Sequence, residues 1–214
     1  MLELVIGNKN YSSWSMRAWL ALELTGAPYR EILVALDRPD TAERIRAHSP
    51  AGRVPVLRDG ELTVWDSLAI CEYLAEKFPS AELWPAAPAR RAVARAAAAE
   101  MHAGFQALRA GMPMNLGLHR PTPPSAEVAA DLARIRALWR ELLAAPRQGE
   151  YLFGRFGIAD AFFAPVVGRC RTYGVALDGP EAGYAEEVWR HPAVAKWVAG
   201  ASQESQAIPK YDLK

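Results

Sequence analysis

The sequence predicts an α/β unit of order βαβ-α-ββα followed by an all-α unit, a helical bundle. Three observations carry this expectation. Strand and helix signals alternate through the first 80 residues. Pro79, Pro85 and Pro88 then crowd into one short stretch. Beyond them, apolar residues recur at helical period only. The expected division is 1–80, a linker at 81–88, and 89–214.

The elements follow in order. Leu2–Ile6 is a short apolar run closed by Gly7-Asn8, and reads as a strand. Met16, Trp19, Leu20 and Leu24 then form one stripe at helical spacing, with Gly26 and Pro28 as the stop. The serines ahead of that stripe can accept hydrogen bonds from the free N–H groups of the first turn. Tyr29–Leu36 reads as a second strand, and 37–53 as a short helix plus loop. Asp59-Gly60 between two short apolar runs predicts a hairpin, because such a turn needs positive φ. Asp66-Ser67 opens a helix whose stripe is Leu68, Cys71, Leu74, Ala75 and Phe78. Past the linker, alanine-rich 89–109 favours one helix, and 125–144 carries Val128, Leu132, Ile135, Leu138, Trp139 and Leu142 at helical spacing. The segment near 158–173 is so apolar that it should be a central helix. A last helix follows Pro192, and the tail from Ser202 is polar.

Composition narrows the function. The 214 residues are 51% hydrophobic, enough for a real core, and 25 basic against 24 acidic side chains give a net charge of +1. That balance disfavours a protein built to hold nucleic acid or an acidic membrane surface. Cys71 and Cys170 are the only cysteines, too few for a disulfide framework or a four-thiolate zinc site. No run of about 18 apolar residues predicts a membrane span. The N-terminal stretch lacks a basic leader, so a cytoplasmic location is expected. Phosphate-loop, dinucleotide, metalloprotease and nucleophile-elbow motifs are absent. The four histidines lack ligand spacing, so no metal is expected.

The informative segment is Asn10-Tyr-Ser-Ser-Trp-Ser-Met-Arg, between the first strand and the first helix. Thioredoxin-type redox domains place Cys-x-x-Cys at such a helix start, where the dipole lowers a thiol pKa. Here the sites are Ser12-x-x-Ser15, and serine cannot cycle through a disulfide. A hydroxyl at a helix N-terminus can instead hold the thiolate of another molecule.

Four motifs in order then carry a resemblance. Tyr11-Ser-Ser-Trp-Ser-Met-Arg resembles the active-site stretch of cytosolic glutathione S-transferases of the serine type. It is similar to the zeta class, and closer still to bacterial transferases with Ser-Ser-Trp-Ser. Ser49-Pro-Ala-Gly-Arg-Val-Pro-Val-Leu resembles the family's cis-proline segment, Asp66-Ser67-Leu-Ala-Ile-Cys-Glu-Tyr-Leu its γ-glutamyl-binding helix, and Phe156-Gly-Ile-Ala-Asp160 its helix-capping motif. The resemblance implies a thioredoxin-like first domain, glutathione as co-substrate, a homodimer, and a detoxifying transferase that acts on small apolar electrophiles. It places the catalytic serine on Ser12, with Ser13 and Ser15 as rivals and Tyr11 a weaker candidate. Glutathione would be held by Ser13, Arg53, Val54, Pro55, Asp66 and Ser67. Met112, Met114 and Asn115 would line the second-substrate pocket, with Met101 and Phe105 as further candidates that could equally be core. Trp14 stands where zeta enzymes carry the cysteine tied to isomerase activity, which argues against an isomerase. The same motifs would also serve a non-catalytic glutathione-binding protein or a glutathione-dependent dehalogenase.

The magnitudes suffice. A thiol of pKa about 8.5 falls two units with roughly 2.7 kcal/mol favouring the thiolate. One hydrogen bond to a charged group contributes about 1.5–3 kcal/mol and a helix N-terminus about 0.3–1 kcal/mol.

Overall fold

The computed structural model describes residues 1–211. Four strands form one sheet, β1 (Leu2–Ile6), β2 (Tyr29–Leu33), β3 (Val56–Asp59) and β4 (Leu62–Trp65), in the order β2-β1-β3-β4. β1 runs parallel to β2, and β3 antiparallel to both β1 and β4. The parallel pair needs a crossover, supplied by helix α1 (Ser13–Thr25). Helices α2 (Thr41–Arg46) and α3 (Ser67–Lys77) complete this thioredoxin-like domain. The helical domain holds α4 (Pro88–Ala103), α5 (Gln106–Gly111), α6 (Ala126–Ala144), α7 (Ile158–Tyr173), α8 (Pro180–Arg190) and α9 (Pro192–Ser202).

Two helices join the domains. α1 is buried continuously from Ser15 to Leu22, and α7 along nearly its whole length, and the two pack against each other. A helix walled in on every side is apolar all round, which is why 158–173 reads as central. Trp19 of α1 meets Trp197 of α9 edge-on at 5.3 Å, adding a second seam.

Several boundaries differ from expectation. The second strand ends at Leu33, three residues early, although Val34 N–H still donates to Ile6 O. The hairpin turn is Gly60-Glu61, since Asp59 pairs with Leu62. The helix expected over 89–109 breaks into α4 and α5. Gly104 is extended, Phe105 takes φ +61°, and a Cβ at Gly104 would lie 2.9 Å from Glu100 O. A 3-10 turn at Pro79–Ala81 leads into the expected linker, and Pro88 is the first residue of α4, where its missing N–H costs nothing. α8 was not expected, because its face mixes apolar and charged residues. The polar tail is not a loose end: Ile208 is fully buried.

Candidate functional site

The registers of the sheet gather the site. Val5 pairs with Val56, and Val56 with Trp65. The loop that follows β1, the Val54–Pro55 bond ahead of β3, and Asp66 after β4 therefore share one end of the sheet. Val54–Pro55 is cis, as the resemblance implied. Pro55 is buried and Arg53 exposed.

Ser12 is the N-cap of α1. Its Oγ accepts from Ser15 N–H at 3.3 Å and stands 2.7 Å from Ser15 Oγ, to which it donates. Ser15 Oγ also accepts from Gly7 N–H at 3.0 Å. Ser13 Oγ is engaged elsewhere, by Arg169 Nη2 at 3.4 Å. Tyr11 is turned to the tail: its hydroxyl accepts from Ile208 N–H and its ring lies 5.6 Å from that of Tyr211. Of the rivals, Ser12 alone combines the cap position with a partner hydroxyl.

The loop carrying Ser12 is held on two sides. Glu204 accepts from the N–H groups of Lys9 (2.6 Å) and Asn10 (3.1 Å), and Asn8 Nδ2 donates to Gln206 Oε1 at 3.4 Å. On the other side Asn10 Nδ2 donates to Asn115 Oδ1 at 2.9 Å, and Gly117 N–H to Asn10 Oδ1 at 2.8 Å. Asn115 thus braces the serine loop. Met112 and Met114 are packed in the core, with Met101 and Phe105. All four side chains are buried in this structure, and for Met101 and Phe105 core packing was one of the two readings the sequence left open. The methionine-rich pattern belongs to helix packing around the α4–α5 break.

At the other helix start, Asp66 adopts φ +73°, ψ 135°, an unfavourable backbone for a residue with a Cβ, and its Oδ1 accepts from Leu68 N–H at 2.8 Å. Its Oδ2 lies 3.4 Å from His102 Nε2. Burial holds the imidazole below its usual pKa. Ser67 is buried and its Oγ has no partner among the described residues, so it has hydrogen-bonding capacity to spare at a helix N-terminus.

Sequence reasoning missed the arginines behind this surface. Arg17 is fully buried, and none of its three guanidinium nitrogens has a partner among the described residues. It lies 4.6 Å from the ring centre of Trp14 and 4.8 Å from that of Phe162. Arg109 lies 4.8 Å from the Trp14 ring and donates to the carbonyls of Met101 and Gly104 at the end of α4. Arg169 donates to Met112 O, Pro165 O and Ser13 Oγ. Burial, then the neighbouring Arg109 and Arg169, push the Arg17 pKa well down. Burial lowers that of Arg169 to about 10. A signal was present: Arg17 stands within a helix whose apolar residues leave it no solvent side.

At the start of α7, Asp160 Oδ2 accepts from Gly157 N–H at 3.0 Å, while Oδ1 accepts from Leu152 N–H and Tyr184 O–H, both at 3.1 Å. Burial nevertheless raises its pKa to about 6. This agrees with the capping motif seen in the sequence, with Gly157 as the N-cap.

Among the described residues no group of three or more His, Cys, Asp or Glu could hold a metal ion, and no helix is long and apolar enough to cross a membrane.

A thioredoxin-like domain with serine at its helix start and a cis-proline at the same end of its sheet, joined to a helical domain, defines a class of thiol-handling proteins. Comparison with known proteins makes it specific. The family models described as "Glutathione S-transferase, N-terminal domain" and "Glutathione S-transferase, C-terminal domain" match residues 11–77 and 125–200. Maleylacetoacetate isomerase of Pseudomonas aeruginosa is 32% identical over 78% of this chain and 81% of its own. Glutathione S-transferase GstB of Escherichia coli is 31% identical over 77% and 81%. Among solved structures, a glutathione transferase homologue from Burkholderia with bound glutathione superposes with TM-score 0.72 at 26% identity, covering 95% of this chain and 99% of that one. A zeta-class maleyl pyruvate isomerase superposes with TM-score 0.75 at 25% identity, covering 96% and 100%. The chain belongs to the glutathione S-transferase family, and its activity is that of a glutathione-dependent transferase or isomerase.

Proposed function

We propose that the protein activates the thiol of reduced glutathione at Ser12 and delivers the thiolate to a small electrophile bearing an anionic group. The observation that supports this most is the Ser12 hydroxyl at the N-terminus of α1, at the same end of the sheet as the cis-proline. The thiolate accepts from Ser12 and gains from the positive end of the helix. The cysteinyl backbone of glutathione pairs with Val54 at Pro55, as an added strand would. Asp66 receives the γ-glutamyl ammonium, while Ser67 and the free N–H groups of α3 receive its carboxylate. Ser13 shapes the wall through Arg169, and exposed Arg53 pairs with the glycyl carboxylate.

Arg17 supports an anionic group on the second substrate. A buried guanidinium without hydrogen-bond partners is costly even between two aromatic rings, and an anion entering beside Trp14 would relieve that cost. The apolar body of the electrophile would rest on Trp14 and Phe162. This same feature favours a second reading, isomerisation of an unsaturated acid by reversible thiolate addition. Two of the similar proteins are named for maleylacetoacetate and maleyl pyruvate. Both readings use the same thiolate. A homodimer, a cytoplasmic location and a detoxifying role fit this reading.

The test is turnover with glutathione of matched aromatic chlorides, one carrying a carboxylate and one neutral, alongside a maleyl acid. Higher kcat/KM for the acid of the pair supports the proposal. Glutathione binding without turnover of any acceptor would make the chain a binding protein instead.

A further inference from the structure

Ser15 is wholly buried, so it is screened from a bound ligand, yet its hydroxyl is engaged on two sides. Among the described residues the partners of its Oγ are Gly7 N–H at 3.0 Å and Ser12 Oγ at 2.7 Å. Two hydroxyls this close share one hydrogen bond, and each rotates about its C–O bond, so that bond can run in either direction.

The two directions suit two states of a sulfur outside Ser12. When Ser12 donates to Ser15, Ser12 can only accept from the ligand, which suits a protonated thiol. The proton of Ser15 then has no acceptor among its two contacts. When Ser15 donates to Ser12, Ser15 still accepts from Gly7. Ser12 Oγ then receives both the N–H and the O–H of Ser15, and its own proton is free for a thiolate. Hydrogen bonds in such a chain polarise one another, so each strengthens the next.

We infer that Ser15 is a positioning residue for thiol activation: Gly7 N–H, Ser15 O–H and Ser12 O–H form a relay in which the bond between the two hydroxyls reverses when the thiolate forms. No hydroxyl is deprotonated; the thiol proton leaves to solvent. Gly7 leaves room for the Leu36 side chain, which lies 2.7 Å from where a Cβ would stand and would have to shift to admit one. The inference rests on Ser12 as the partner of the sulfur.

The experiment titrates the ultraviolet absorbance of thiolate in bound glutathione for the full chain and for Ser12→Ala, Ser15→Ala, Ser15→Thr and the double alanine variant. Ser15→Ala should raise the thiol pKa by about one unit, a tenfold loss of thiolate at fixed pH, with glutathione affinity for the thiol form unchanged. Ser15→Thr keeps the hydroxyl and should hold the wild-type value; if the alanine variant fails to fold, Ser15→Cys, which keeps the shape but donates only weakly, should show the rise, and an unchanged pKa there would overturn the relay. In the Ser12→Ala background, Ser15→Ala should add nothing, because a residue acting through another is not additive with it. An unchanged pKa in Ser15→Ala, or shifts that add in the double variant, would overturn the relay. An unchanged pKa in Ser12→Ala alone would instead remove Ser12 from the sulfur, a separate failure.

Discussion

At the start of α7 the free N–H groups meet a carboxylate of the chain itself, whereas at the start of α1 they meet hydroxyls. Asp160 is closed in by Gly157, Leu152 and Tyr184, all supplied by the helical domain. Ser12 and Ser15 are buried almost as deeply, yet their protons can be redirected toward a ligand. Both ends favour negative charge. One is closed by the chain's own carboxylate, which serves the fold through the three hydrogen bonds it accepts. The other leaves the charge to be supplied by a borrowed sulfur, where it serves chemistry. The contrast extends to cations: Glu181 is buried between Arg136 and Arg140 and fully paired, while Arg17 is buried and unpaired.

The largest expected effect breaks the closed end. Asp160→Ala strands three donors and should cost about 3 kcal/mol, a fall of roughly 10 °C in unfolding midpoint, with the bound thiol pKa unmoved. Asp160→Asn sharpens the same point. The folded pKa of about 6 exceeds an unfolded value near 3.8, so the folded state holds the proton longer. This group's contribution to stability, about 3 kcal/mol, is therefore full only below the unfolded value near 3.8 and lost as pH rises through 6. Denaturant titrations at pH 4 and pH 7 should show wild type losing about 2 kcal/mol relative to the asparagine variant.

On the open side, Arg17→Met removes an unpaired buried charge. It should stabilise the unliganded protein by about 1–2 kcal/mol while lowering kcat/KM for a carboxylate-bearing acceptor at least tenfold relative to its neutral match. A drop in stability with no change in that ratio would return Arg17 to a packing role. The smallest effect is Ser67→Ala. Since Ser67 Oγ has no partner among the described residues, stability should hold, while glutathione affinity measured by calorimetry falls about fivefold, near 1 kcal/mol.

These regions were unequally legible in sequence. The succession of strands and helices along the first domain and the helix starts at Ser12, Asp66 and Gly157 are local signals, and the sequence carries them at fixed spacing. The break at Gly104-Phe105 is not local: it lets Arg109 cap α4, and helix propensity in an alanine-rich run points the other way. The tail is polar by composition, and its contacts with residues 8–11 and 36–37 span nearly the whole chain, beyond the reach of periodicity. Arg17 lies within the serine motif itself, but its meaning depends on Trp14, Phe162 and Arg109 meeting around it.

The central claim is that Ser12 holds the sulfur of glutathione as thiolate. The direct measurement is the ultraviolet titration of bound glutathione in wild type and Ser12→Ala. The account predicts a wild-type thiol pKa near 6.5 that rises about two units, toward the free value of about 8.5, in the variant. A value that stays low without the Ser12 hydroxyl would contradict it.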